Sequence, residues 1–353
     1  MDFWRGKKVF VTGHTGFKGS WLSLWLQSAG ANICGYSLVP PTNPSLFELA
    51  RLAEKMESIH GDIRDREALA KAIENNSPDI VIHLAAQPLV RYSYKDPVGT
   101  FDTNVMGTVN VLEAVRRVNS VKVLLCITSD KCYQNREWVW GYREDEAMGG
   151  HDPYSSSKGC SELVVSAYRQ SFFASANDTL IATARAGNVI GGGDWAQDRI
   201  VPDVMRAFMH SEKVIVRNPH AIRPWQHVLE PLRGYLKLIE RLWDNGVSFA
   251  EGWNFGPDDS DAKPVGWIVE NLSRLWADGA GWINDTTGGH PHEANYLKLD
   301  CAKARMLLKW APILNLPSAL EMTVQWYQAF NTKQDMREFT LEQIACYERM
   351  MGK

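Results

Sequence analysis

Short apolar runs recur through the first half of the chain, at residues 8–12, 32–37, 79–87, 121–128 and 179–184, with a further strand expected at 58–61. Runs that do not alternate with polar residues predict strands buried on both faces. Between them lie segments with helical periodicity: 21–29, closed by Gly30; a stretch through Leu69, Ala72 and Ile73 with Asp65 as its N-cap; 101–118; and a helix opened by Tyr154. Strand and helix alternate, so the expected fold is α/β, a doubly wound parallel sheet joined by right-handed crossovers and completed by the strand at 179–184. Beyond Asn188 the elements shorten, turns multiply, and tryptophans and arginines cluster. The expected division is a unit spanning 1–187, with return segments from about 224–256, and a smaller unit spanning 188–353. Near the end, Thr340-Leu341-Glu342-Gln343 reads as a capping box opening a helix that runs to Met351.

Composition narrows the classes. The 353 residues, 45% hydrophobic, can bury one large core or two joined ones. A net charge of -3 and a pI near 6.3 provide no polycationic field, so nucleic acid is not an expected partner. Six cysteines are scattered without a C-x-x-C pair, which suits buried thiols in a reducing compartment and argues against zinc. The N-terminus has no apolar signal core, and no apolar run reaches the ~18 residues that span a bilayer, so the expectation is a cytoplasmic protein away from membranes.

Candidate chemistry begins at Thr12-Gly13-His14-Thr15-Gly16-Phe17-Lys18-Gly19, between the first strand and first helix. There Gly13 permits a sharp turn, Gly16 admits a pyrophosphate, Gly19 lets helix pack on strand, and the helix N-terminus presents free N–H groups. The spacing is Gly-x-x-Gly-x-x-Gly, not the Gly-x-Gly-x-x-Gly of the dinucleotide fingerprint. The second strand ends in Ser37-Leu38-Val39, with neither the acid that favours NAD nor the arginine that favours NADP. Asp62, followed by Ile63, stands where it could accept a hydrogen bond from an adenine amino group, or be a turn residue. Leu84-Ala85-Ala86 is small enough for a cofactor to lie against backbone, whereas His83 reads as a packed strand-end residue. Tyr154 and Lys158 lie one helical turn apart, so the ammonium can favour the phenolate of a group that otherwise titrates near pH ~10. Ser129-Asp130-Lys131 follows a strand end, where ligands of such sheets bind. His290 and His292 lie two apart on a proline turn without a convergent third ligand, so no metal is expected.

The glycine turn, Leu84-Ala85-Ala86, Tyr154 with Lys158, and Arg185-Ala186-Gly187-Asn188-Val189 together resemble the nucleotide-sugar enzymes of the extended short-chain dehydrogenase/reductase family, over essentially the whole chain. Thr128-Ser129-Asp130-Lys131-Cys132-Tyr133, Gly193-Asp194-Trp195, the stretch from Arg223 to Val228 and His292-Glu293-Ala294 look like the CDP-sugar 4,6-dehydratase branch. The resemblance implies NAD as cofactor, with contacts also at Thr15, Phe17, Lys18, Ile63, Asn104 and Thr128, and CDP-glucose as substrate. Tyr154 would deprotonate the sugar 4-hydroxyl, assisted by Ser129, and Asp130 would protonate the departing 6-hydroxyl. Lys131 replaces the glutamate base of the dTDP-glucose relatives, so it is either a base with a lowered pKa or a charged stabiliser of the enolate. Substrate contacts are expected at Gln87, Asn188 and Arg223, then Arg199, Arg217 and Arg185, with His290 and His292 in place of a family arginine. A homodimer or homotetramer is implied, pairing the 101–118 and Tyr154 helices, and a role in deoxysugar (lipopolysaccharide O-antigen) biosynthesis. A 4-epimerase shares Tyr154 and Lys158 but needs neither Asp130 nor Lys131; a dinucleotide-sensing regulator could dispense with Tyr154 and Lys158.

Overall fold

The computed structural model describes residues 2–174, 179–277, 281–285 and 296–352. The sheet-forming strands are β1 (Lys8–Thr12), β2 (Asn32–Ser37), β3 (Glu57–His60), β4 (Ile80–His83), β5 (Val123–Ile127), β6 (Leu180–Arg185) and β7 (Gly252–Asn254). All pair in parallel, in the order β7-β6-β5-β4-β1-β2-β3. In the central strands alternate side chains feed two separate cores, which is why those runs show no polar alternation, whereas the edge strand β3 is mostly exposed. Val9, Ile80, Ile82, Val123 and Leu125 enter one core, and Phe10, Val81, Leu124 and Ile181 the other.

The strand at 180–185 does not complete the sheet, contrary to the sequence reading. β7 continues it, returning after helix Leu229–Asn245. Three residues are too few for a periodic signal, and the Trp253 between its glycine and asparagine is read as well in a loop.

Helix α1 (Phe17–Ser28) follows the glycine turn, and α2 (Arg66–Asn76) starts on Asp65, whose carboxylate accepts from the Ala68 N–H. The 101–118 pattern is part of a longer composite, α3: Pro97–Phe101, a π-helical turn Asp102–Met106, and Gly107–Arg116. Helix α4 (Pro153–Phe172) is capped by Asp152, whose two oxygens take the Ser155 N–H at 2.9 Å and hydroxyl at 2.6 Å. With Pro153 opening the first turn, this cap fixes where Tyr154 stands. The last helix, Met336–Met351, starts on Asp335 and not at Thr340. Thr340 is buried inside it, donating to the Met336 carbonyl and accepting from the Trp326 indole, so the expected capping box is a mid-helix packing site.

Candidate active site

The carboxyl ends of β5 and β6 and the start of α4 converge on one cleft of about 510 Å³. Ser129, Asp130, Lys131 and Tyr154 line it, with Phe17 and Lys18 from α1, and Asn188, Arg199, Arg217 and Arg223 from the second half of the chain. A neighbouring chamber of about 400 Å³ shares Asp130, Lys131, Asn188 and Arg223.

β5 ends in a one-turn 3-10 helix, Asp130–Cys132, because the Ser129 hydroxyl accepts the Lys131 N–H at 3.2 Å. The same hydroxyl donates to Asp130 Oδ1 at 2.9 Å, and Asn188 Nδ2 lies 3.4 Å from Oδ2. Asp130 is only 2% exposed, and a Cβ on Gly187 would stand 1.8 Å from its carboxylate, so glycine at 187 is a condition of its position. Burial pushes the Tyr154 phenol up to about 12; a hydrogen bond to Ser129 and the charge of Arg199 work against that. Lys158 is equally buried, lies 3.4 Å from the Ile127 carbonyl, and is lowered to about 8 by desolvation. Lys18 is likewise lowered to about 8, by burial first and by Arg199 next.

At the glycine turn, a Cβ on Gly13 (φ 78) would meet the Ala85 nitrogen at 2.6 Å, and one on Gly19 the Gly13 carbonyl at 2.1 Å. These glycines bring the β4 loop and α1 against the turn. Gly16 caps α1 with no side-chain partner, and its Cβ position meets only the Gly13 carbonyl, at 3.4 Å. Uncapped N–H groups beside open space fit the pyrophosphate of a dinucleotide. Other expected cofactor positions hold the protein itself. The Thr15 hydroxyl lies 2.8 Å from that of Ser37 and donates to the Leu38 carbonyl; Asp62 is gripped by Arg64, whose hydrogen bond lowers its pKa; Thr128 donates to Glu162 at 2.5 Å. Ile63 is packed in the second core, and Leu84 is partly buried against the first.

Gln87 and Asn104 interlock: the Gln87 N–H donates to Asn104 Oδ1, and Asn104 Nδ2 donates to the Gln87 carbonyl and to Ser157. The Gln87 side-chain amide is committed to Leu89 and Thr100, which corrects its expected role as a cleft-facing substrate contact. Arg185 is corrected too. It is 4% exposed, bonds Glu162 at 2.8 Å and the Tyr133 hydroxyl at 2.6 Å, and lines a separate pocket with Glu162 and Glu251, not the cleft. Burial pushes the Glu162 pKa up, but Arg185 and the hydrogen bonds from Arg185, Thr128 and Thr183 outweigh it and hold the carboxyl ionised. His83 is neutral, burial driving it to about 3, and sits between Thr12 and Thr108 as a packed residue. His290 and His292 lie outside the described residues. Among those described, no group of three His, Cys, Asp or Glu side chains is placed to hold a metal, and no helix is long and apolar enough to cross a membrane.

Among the charged cleft residues, Arg91 and Asp198 were given no role by the sequence, and Asp194 entered only as part of Gly193-Asp194-Trp195. Asp194 is buried and pairs with Arg199 at 2.9 Å, and the Gly191-Gly192-Gly193 run beside it was the available signal. Arg91 had none.

A family model described as GDP-mannose 4,6 dehydratase matches residues 10–323. A CDP-glucose 4,6-dehydratase of Salmonella typhimurium is 57% identical over 350 residues, 98% of this chain and 97% of that one. Among solved structures, a UDP-glucose 4-epimerase of Thermotoga maritima shares the fold with a TM-score of 0.78 at 20% identity, over 92% of this chain and 99% of that one. A dTDP-glucose 4,6-dehydratase of Bacillus anthracis, in complex with NAD, does so at 0.76 and 21%, over 94% and 100%.

Proposed function

The chain belongs to the nucleotide-sugar 4,6-dehydratases of the extended short-chain dehydrogenase/reductase family, and from that premise we propose that it converts CDP-glucose to CDP-4-keto-6-deoxyglucose and water by internal hydride transfer. The observation that carries this reading is the Ser129-Asp130-Lys131 turn held in one cleft with Tyr154. The 57% identity, covering almost all of both chains, supports CDP-glucose over other nucleotide sugars. The glycine turn, the α1 N-terminus and Lys158 would hold NAD, which when bound would supply the hydride acceptor and donor of the reaction.

The chain's own residues move the protons. Tyr154 takes the proton of the 4-hydroxyl, which Ser129 orients; a buried phenol shifted to about 12 needs positive charge to ionise, and Arg199 provides it, with Lys158 one helical turn further along α4. The resulting ketone acidifies the carbon 5 proton, which Lys131 removes as the base. Asp130 protonates the 6-hydroxyl as it leaves as water. An epimerase needs no acid for a leaving hydroxyl, so a buried Asp130 bonded to Ser129 weighs against that alternative.

The same reading makes the protein a cytoplasmic homodimer or homotetramer serving deoxysugar (lipopolysaccharide O-antigen) biosynthesis. Its nucleotide-binding unit spans 1–187 with the β7 return, and the sugar-nucleotide unit the remainder. Exposed Val98, Phe101, Met106, Leu163 and Phe172 on α3 and α4 support pairing through those helices. Mass spectrometry tests the reaction: CDP-glucose should lose one water with no net accumulation of reduced nicotinamide. A product of unchanged mass and galactose configuration overturns dehydration. In Lys131→Met, exchange of the carbon 5 proton with solvent should stop while carbon 4 oxidation persists; exchange at full rate removes Lys131 as the base.

A further inference from the structure

We propose that Arg91 is a diphosphate ligand that exchanges Asp198 for the substrate when the nucleotide sugar binds. This deepens the substrate reading above and rests on it. Arg91 lies on the short helix Val90–Lys95 after β4, on the nucleotide-binding side. Asp198 precedes helix Ile200–Met209, and Arg217 follows strand Val214–Val216, so both belong to the opposite wall. The three meet across the cleft and line it. Arg91 Nη1 stands 3.5 Å, and Arg217 Nη1 3.0 Å, from the same oxygen, Oδ1 of Asp198.

Two guanidiniums, each a planar fork of five donors, thus converge on one carboxylate oxygen. Asp198 stands where an anion with more oxygens fits better. A diphosphate offers both forks oxygens in the bidentate geometry that guanidinium matches. Releasing Asp198 costs little, because its side chain is already 43% exposed and returns to water. The neighbouring Arg199 behaves differently: its partner Asp194 is buried, with a side chain 5% exposed, and that pair is a fixed part of the wall. Since Arg91 comes from the other wall, passing from Asp198 to the substrate keeps the two walls joined at the diphosphate.

Calorimetric titration of NAD-saturated protein with CDP and with cytidine tests the exchange. Arg91→Gln is expected to weaken CDP by about tenfold or more while leaving cytidine unchanged, and Arg91→Lys to recover part of the loss, since it restores charge without the fork. Asp198→Asn is expected to tighten CDP by about twofold or more, because the competing carboxylate charge is gone. If the wild type binds CDP and Arg91→Gln matches it within about twofold, Arg91 is not a ligand. If Asp198→Asn weakens CDP as Arg91→Gln does, Asp198 is a fixed support and the exchange is wrong. A wild-type protein that binds no CDP overturns the substrate reading itself, and this proposal with it.

Discussion

The two walls of the cleft are built on opposite terms. On the sheet side Ser129, Asp130, Tyr154 and Lys158 are each at most 8% exposed and bonded to one another or to β5. On the other side, Arg217 of the loop wall and Arg91, reaching to it from the helix after β4, keep side chains 31% and 24% exposed and share the carboxylate of Asp198. Burial gives the first wall shifted pKa values and fixed atoms, as proton transfer requires. Partial exposure gives the second wall pairs weak enough to be traded for a ligand. On the proposed reading, the reaction is shaped on the rigid wall and the substrate is captured on the exchangeable one.

Breaking the rigid wall should have the largest effects. Tyr154→Phe should lower turnover by about 10³- to 10⁴-fold with little change in melting temperature, as measured by product mass spectrometry and calorimetry. Next comes the ion pair behind that wall: Glu162→Gln leaves Arg185 buried without its counter-charge and should cost about 3–5 kcal/mol in denaturant unfolding. Lys158→Met sharpens the comparison because it separates activity from stability. A lysine shifted from about 10.5 to about 8 binds fewer protons folded than unfolded. Its burial therefore destabilises the wild type below pH 8, and this penalty fades as pH rises from 8 to 10.5. The Met variant should lose activity yet gain on the order of 3 kcal/mol at pH 7, a gain that shrinks toward pH 10. Arg217→Gln should have the smallest effect, raising KM about five- to tenfold with kcat held, roughly 1 kcal/mol. A fall in kcat instead would mean the loop wall shares in the chemistry.

The contrast also explains what the sequence disclosed. The rigid wall was legible because local rules build it: Asp152 and Pro153 start a helix, Tyr154 and Lys158 share one of its faces, and the Ser129-Asp130-Lys131 turn ends a continuous apolar run. The exchangeable wall joins residues far apart in the chain, and no periodicity marks them. Arg91 was therefore missed and Arg185 misassigned, since an arginine at a strand's carboxyl end reads alike whether it faces the cleft or a buried glutamate. Only the β6 register and Glu162 on α4 decide between them. The helix after Asp335 failed for a different reason, because Thr340 has the composition of a cap and the burial of a core residue.

The late arrival of β7 bears on how the molecule is made. During synthesis β6 emerges with one edge bare, and its partner is not available until residues 252–254 have followed. Asn254 then donates to the carbonyls of Tyr142 and Asp300 and accepts from the Tyr133 hydroxyl, stitching early chain to late chain at one side chain. A ribosome adding ~5–20 residues per second leaves that edge open for several seconds or more, the interval in which an unpaired parallel strand is most exposed to other chains.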